Sequence, residues 1–111
     1  MYIFNVTTNV QEDIHDEWLD WMKNERIPEM LATGKFQKAL LSRVLVNEEM
    51  GGITYSVQYT SKNDKILKDF HEQDAQRLAI LKKQFEGKVF SFQTEMQVVK
   101  ELFEPENTEK S

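Results

Sequence analysis

The sequence predicts an α+β fold in which the elements follow the order β-α-β-β-α-β. Apolar and polar residues alternate over residues 2–8, 53–60 and 88–99, which is typical of strands. Apolar residues recur at three- and four-residue steps over residues 11–31 and 63–85, which is typical of amphipathic helices. This order belongs to the ferredoxin-like (split βαβ) sandwich, in which two helices cover one face of a four-stranded antiparallel sheet.

The first half of the chain is predicted to form a strand over residues 2–8 and a helix over residues 11–31. Pro28 falls inside this helix, where it lacks an N–H and crowds the preceding turn. We therefore expect a break or kink near Arg26 and Ile27. Gly34 then ends the helix.

The second half begins with strands over residues 36–46 and 53–60, joined by a turn over residues 47–52. A helix follows over residues 63–85, with Asn63 or Ser61 as its N-cap. The last strand is predicted over residues 88–99.

Alternation also assigns each strand residue to a face of the sheet. On the last strand, the side chains expected to face the helices are those of Phe90, Phe92, Met96 and Val98. The opposite face then carries neutral polar side chains, namely Asn5, Thr7, Thr54, Ser56, Gln58, Ser91, Gln93 and Gln97. A solvated face is usually richer in Lys and Glu, so this face is predicted to pack against a second copy in a homodimer. A simply open face is the alternative.

Length and composition indicate one domain. The chain has 111 residues, 40% of them hydrophobic and 30% charged, which suits a single core. We expect a folded domain over residues 1–103 and a flexible C-terminal tail over residues 104–111, where apolar residues are absent.

Several classes of partner are disfavoured. The chain lacks cysteine, has no stretch of ~20 apolar residues and opens on a strand pattern instead of a signal peptide, so we expect a cytoplasmic protein without a membrane segment. A net charge of −5 disfavours nucleic acid. RNA binding on the open sheet face would also need exposed aromatic side chains, and the polar row of the third strand offers none.

The run from Trp18 to Leu31, followed by Gly34-Lys35-Phe36, resembles the first-helix segment of dimeric α+β barrel proteins. Those proteins often carry a Trp-rich helix, an acidic-His-apolar-Pro-Glu stretch and a Gly-Phe pair. Residues 1–103 as a whole resemble a short, uncharacterised bacterial family, a domain of unknown function of that superfamily. The resemblance implies a ferredoxin-like protomer whose sheet faces that of a partner, and it implies no activity.

One departure limits what the resemblance carries over. Arg26 occupies a position where these proteins often have histidine, which puts any His-dependent role in doubt. The Asn-Trp-His set of the haem-degrading members is not recognisable, so haem is not implied. His15 and His71 lie on different predicted helices without further ligands nearby, so no metal and no cofactor are expected, and His15 is interpreted as a surface or capping residue.

A candidate ligand site comes from the topology. The two helices run antiparallel, so the end of the first helix lies beside the start of the second, which is expected to bring Arg26 near His71. Tyr2 and Tyr59 turn inward at the same end of the sheet, and Trp21 adds a wall. An arginine fork and tyrosine hydroxyls can bind a small acidic or aromatic ligand.

Two functions remain open at this point. The first is a homodimer that binds such a molecule in the helix-sheet cleft, as a binder or as a cofactor-free enzyme. The alternative is a structural or protein-interaction module whose cleft is filled by side chains, with Arg26 paired to Glu25, Glu29 or Asp74. No phosphate-binding glycine loop, nucleophile elbow or catalytic carboxylate pair appears, so the sequence predicts neither substrate nor reaction.

Overall fold

The computed structural model describes residues 1–46 and 51–106 and confirms the ferredoxin-like α+β fold. The strands are β1 (Tyr2–Val10), β2 (Lys38–Arg43), β3 (Ile53–Ser61) and β4 (Val89–Gln97). The helices are α1 (His15–Trp21), α2 (Ile27–Ala32), α3 (Asp64–Gln73) and α4 (Ala75–Leu78). Most of the predicted 47–52 turn and the end of the predicted tail lie outside the described residues.

The sheet has four antiparallel strands in the order β2-β3-β1-β4, and the helices cover one of its faces. The core lies between these two layers. Phe4 of β1 packs on Phe70 of α3 with ring centroids 5.5 Å apart, and Phe70 meets Phe36 at 4.8 Å. Trp18 of α1 and Tyr59 of β3 are also fully buried there.

The predicted break in the first helix takes a different form. The helix continues from α1 into α2 through a π-helical turn, Met22–Arg26, in which the N–H of Ile27 donates to the carbonyl of Met22. Pro28 follows directly after this turn, as the second residue of α2. The chain therefore accommodates the proline by one wider turn.

The second helix was predicted as continuous over residues 63–85, and this is wrong. It divides into α3, α4 and a short 3₁₀ turn, Lys83–Phe85. The division falls at Asp74, which is buried and lies in line with the buried apolar residues Leu67, Phe70 and Leu78 of the same helical region. Its carboxylate accepts hydrogen bonds from Lys35 Nζ at 2.6 Å and Arg77 Nη2 at 2.9 Å, partners that a buried charge requires.

The faces of β4 are the reverse of the prediction. Ser91 pairs with Thr8 and Gln93 with Val6, and paired residues of antiparallel strands share a face. The residues of β4 on the helix side are therefore Val89, Ser91, Gln93, Glu95 and Gln97. Phe90, Phe92 and Met96 lie on the opposite face and are exposed, and Val98 lies beyond the last residue of β4. The cause is that β4 has one apolar row, and alternation alone does not say which layer that row meets.

The face of the sheet that carries no helices is called the open face below. From β1 and β3 it presents Asn5, Thr7, Thr54, Ser56 and Gln58, as predicted. Leu40 of β2 adds an exposed apolar side chain at one margin, and the row of β4 adds three at the other. The open face is thus partly apolar, with a neutral polar centre.

Candidate functional site

A cavity of about 210 Å³ lies between the helices and the sheet. Its aromatic wall is formed by Phe4, Trp18, Trp21 and Phe70. The aliphatic lining residues are Val6, Met22, Met30, Ala75, Leu78, Ala79, Leu81 and Val89. The polar lining residues are Thr8, Arg26, Tyr59, Ser91 and Gln93. The site is a mainly apolar pocket with a few polar groups, which is the usual composition of a small-molecule site.

The π-helical turn supplies Arg26 to the cavity. Both Met22 and Arg26, the first and last residues of the turn, line the pocket. The guanidinium carbon of Arg26 lies 4.8 Å from the centroid of the Trp21 ring, in a cation–π contact. Its Nη2 donates to the carbonyl of Ile80, so Arg26 links the first helix to the segment that follows α4.

Arg26 has no carboxylate partner among residues 1–46 and 51–106. Burial is the main cause that lowers the pKa of its guanidinium, and the charge of Glu29 opposes this. One hydrogen bond to a carbonyl leaves most of the five N–H donors of an arginine available. An anion in the cavity would therefore meet a half-buried positive charge that has no carboxylate partner in the described ranges.

Tyr59 contributes a second polar group from the floor of the cavity. The residue is 2% exposed, and its hydroxyl makes no hydrogen bond within the described part of the chain. Burial raises the pKa of this phenol, although the charge of Arg26 acts in the opposite direction. The hydroxyl is protonated at neutral pH and can donate a hydrogen bond to a ligand.

The structure does not bring all five predicted site residues together. Arg26, Tyr59 and Trp21 line the cavity, whereas His71 and Tyr2 are not among its lining residues. His71 joins Glu95 of β4 with Nε2 and Oε2 2.7 Å apart, and its ring meets Phe4 edge-on. This contact exists because Glu95 faces the helices, which the sequence prediction did not anticipate.

His15 is also placed differently from the prediction. It is half-buried, and its Nε2 lies 2.7 Å from the hydroxyl of Tyr55 while the two rings stack at 5.6 Å. Its other ring nitrogen contacts Asp16. His15 is therefore the hydrogen-bond partner of a buried tyrosine, because α1 begins directly above that residue of β3.

Three polar lining residues were missed: Thr8, Ser91 and Gln93. Ser91 and Gln93 were missed because the apolar row of β4 was assigned to the wrong face, and Thr8 of β1 was not assigned to a face. A signal was present in the sequence, since Thr8 follows Phe4 and Val6 on the inward row of β1. Its hydroxyl bonds to that of Ser91 at 2.8 Å, and an inward threonine requires such a partner on a neighbouring strand.

In the described ranges, no group of three or more His, Cys, Asp or Glu side chains is placed to hold a metal ion. No helix within them is long and apolar enough to cross a membrane.

The fold and the cavity define a ferredoxin-like protein with a cleft between helices and sheet. The chain belongs to the family described as a domain of unknown function, DUF4286, whose profile matches residues 1–99. The expected membership of an uncharacterised family is confirmed. No curated protein matches the chain.

Solved structures share the fold. A dimeric ferredoxin-like protein from an uncultured marine organism matches with a TM-score of 0.63 and 15% identity, over 93% of this chain and 99% of that one. A second dimeric ferredoxin-like protein from such a source matches with a TM-score of 0.62 and 11% identity, over 91% and 97%. An ethyl tert-butyl ether d (ethd) family protein from Bacillus halodurans matches with a TM-score of 0.60 and 12% identity, over 87% and 100%.

Proposed function

We propose that this protein is a homodimer that binds a small aromatic acid in the cavity between its helices and sheet. One observation supports this class of ligand. The aromatic pocket contains the guanidinium of Arg26, which has no carboxylate partner in the described ranges, and the hydroxyl of Tyr59, which makes no hydrogen bond there. Both groups donate hydrogen bonds, so the ligand should offer oxygen acceptors. A carboxylate on an aromatic ring meets both requirements.

The size of the pocket supports this ligand class. An apolar cavity of ~150 Å³ is known to hold benzene, so the space of about 210 Å³ found here accommodates a ring with one carboxylate group. Binding is favoured over catalysis, because none of the described lining residues is a carboxylate, an imidazole or a thiol. Among the described lining residues, Tyr59 is protonated at neutral pH, so none of them is a ready general base for proton transfer.

Tryptophan fluorescence can report ligand binding in this cavity. Both of its tryptophans, Trp18 and Trp21, line the cavity, so titration with benzoate or phenylacetate should change the intrinsic fluorescence. Arg26→Gln is expected to weaken benzoate binding at least tenfold and to affect neutral benzamide much less. Arg43→Gln, which removes the same charge from an exposed position of β2, is the control.

Two results would contradict the proposal that the cavity binds an aromatic acid. One is a fluorescence spectrum that no aromatic acid alters at millimolar concentration. The other is an Arg26→Gln protein that binds benzoate as tightly as the unmodified chain. Either result would favour the alternative, a structural or interaction module whose cleft takes no ligand.

The homodimer is supported by the open face. Phe90 and Phe92 are 60% and 62% exposed, and Leu40 is 58% exposed on the opposite margin. Exposed apolar groups around a neutral polar centre are typical of a surface that packs on another protein. Two of the proteins that share the fold are themselves dimeric.

Sedimentation at micromolar concentration tests the dimer and should give twice the 13.1 kDa mass. Phe92→Asp is expected to yield a folded monomer, because a buried unpaired carboxylate opposes association. Ile80→Asp is the matched control, since Ile80 is 68% exposed on the helix side. A monomeric unmodified protein would contradict the dimer.

The sequence disfavoured RNA binding partly because the open face was expected to lack exposed aromatic side chains. Phe90 and Phe92 are exposed on that face, so this argument no longer holds. The other argument is charge. The described strand residues on this face include one basic residue, Lys38, and the chain carries −5 overall. A face that attracts phosphates needs clustered positive charge, so the second copy is the better-supported partner.

A further inference from the structure

The chain that follows β4 is apolar and uncovered. We call residues 98–106 the C-terminal arm. Val99 is 93% exposed, Leu102 77% and Phe103 81%, and the arm forms neither helix nor strand. Three large apolar side chains are unusual in a solvated tail, so the arm has the composition of a segment that packs on another protein surface.

The arm leaves the sheet beside the open face. The N–H of Val98 donates to the carbonyl of Met1 at 2.9 Å, which holds the root of the arm against the start of β1. Ile3 and Met96 pair at this corner and point to the open face, and Met96 and Met1 are exposed. The apolar row of β4 and the apolar residues of the arm are therefore continuous along the chain.

The open face alone makes a small interface. Strands about 4.8 Å apart, three of them nine residues long, give it a projected area of roughly 530 Å². Protruding side chains increase the area that this face can bury, and the twist of two facing sheets reduces it. A stable association typically buries about 800 Å² on each partner. A phenylalanine such as Phe103 can bury at least ~150 Å², so the arm supplies area of the required size.

We propose that the C-terminal arm of each protomer packs on the second copy and completes the dimer interface that the open face begins. This inference rests on the proposed homodimer. Each copy presents one arm and one open face, so a twofold axis covers both surfaces of both copies at once. A different protein bound to the arm would leave the open faces to be covered separately.

The first test removes the apolar groups of the arm without adding charge. Leu102→Ser combined with Phe103→Ser should raise the dissociation constant of the dimer at least tenfold. Both side chains are exposed in the protomer, so its circular dichroism and thermal midpoint should be unchanged at concentrations where it is monomeric. Glu101→Gln with Glu104→Gln is the control in the same segment and should change the constant by less than twofold.

The second test uses the absence of cysteine, which makes a single introduced thiol unique. Protein with Glu104→Cys carrying a nitroxide label is mixed with ¹⁵N-labelled unmodified protein. Because only the unmodified copy is observed, broadened amide signals report contact between copies. Signals of open-face residues such as Thr7 and Gln58 should broaden if the arm reaches the partner.

The outcomes separate the two proposals. If Phe92→Asp dissociates the dimer while the double serine variant leaves it intact and no intermolecular broadening occurs, the arm proposal is overturned and the sheet dimer stands. If the unmodified protein is monomeric, both fail. Loss of dimer in the double serine variant together with intermolecular broadening supports the arm as part of the interface.

Discussion

Tyr55 and Tyr59 lie two inward positions apart on β3, and both are buried. They differ in one hydrogen bond: the hydroxyl of Tyr55 meets His15 at 2.7 Å, whereas that of Tyr59 has no partner within the described residues. Loss of a hydrogen bond costs about 1 kcal/mol, whereas loss of an unbonded buried hydroxyl is nearly neutral or stabilising.

We therefore expect Tyr55→Phe to lower the free energy of unfolding by about 1 kcal/mol and Tyr59→Phe to change it by less than ~0.5 kcal/mol or to raise it. Urea unfolding of both variants at pH 7 measures this difference. Equal losses would mean that the hydroxyl of Tyr59 is bonded in solution.

Asp74 is a buried residue that makes the stability of the fold depend on pH in the acid range. Hydrogen bonds from Lys35 and then Arg77 hold the pKa of its carboxyl below the ordinary value, against the opposing effect of burial. A lowered folded pKa contributes stability that is present above the unfolded value of about 3.9 and is lost as the pH falls through the folded value.

Asp74→Asn should consequently lower stability at pH 7 and flatten its decline between about pH 5 and pH 2. A slope remains, because a hydrogen bond from Lys88 also lowers the pKa of Asp13. Unfolding in urea across this pH range provides the measurement, with exposed Asp20→Asn as the comparison. An unaltered slope in Asp74→Asn would show that the carboxylate is not paired in solution.

At the scale of single elements, the start of α3 depends on its N-cap. The side chain of Asn63 accepts a hydrogen bond from the N–H of Ile66 at 2.9 Å, which confirms one of the two caps that the sequence offered. Asn63→Ala should lower the free energy of unfolding by about 1 kcal/mol, whereas Asn63→Ser or Asn63→Asp should retain most of it.

Thermal or urea unfolding distinguishes these variants, and Lys62→Ala, one residue before the N-cap, is the neutral reference. A loss for Asn63→Ser as large as that for Asn63→Ala would mean that the asparagine acts otherwise than as a cap.

The elements also show where sequence patterns stop being informative. Periodicity located every strand and both helical regions, because burial on one side imposes a period of 2 or 3.6. It did not show which face of β4 meets the helices, since the single apolar row of this strand could pack on the helices or on a second sheet. It also missed the division at Asp74, because that division depends on Lys35, a residue 39 positions away in the sequence.

The candidate site was predictable in part for the same reason. Arg26, Tyr59 and Trp21 reach the cavity through element order and alternation, which the sequence contains. His71 does not, because its partner Glu95 comes from the misassigned row. Ser91 and Gln93 required the register of β4 against β1, which is a property of the folded sheet.

For the whole molecule, the proposed dimer should respond weakly to salt. The open face proposed as its interface is mainly apolar and neutral, with Lys38 as the one basic side chain among its described strand residues, whereas each protomer carries a net charge of −5. Salt screens the repulsion between two such protomers and leaves apolar contacts largely intact. Between 50 mM and 500 mM NaCl the dissociation constant, measured by sedimentation, should stay constant or fall by a small factor. A dimer that weakens over this range would require ion pairs at its interface.

The outermost strand has a consequence for local opening. Of the nine residues of β4 only Val89 is buried, so the strand is held mainly by its hydrogen bonds to β1. Segments with few buried contacts open at a lower free energy than the core around them. In a monomeric variant, the amide hydrogens that β4 shares with β1 should therefore exchange with deuterium faster than those between β1 and β3. The proposed dimer covers the open face of β4, so in the unmodified protein the protection of these amides should grow with concentration, and the slowest step of their exchange should become the separation of two copies.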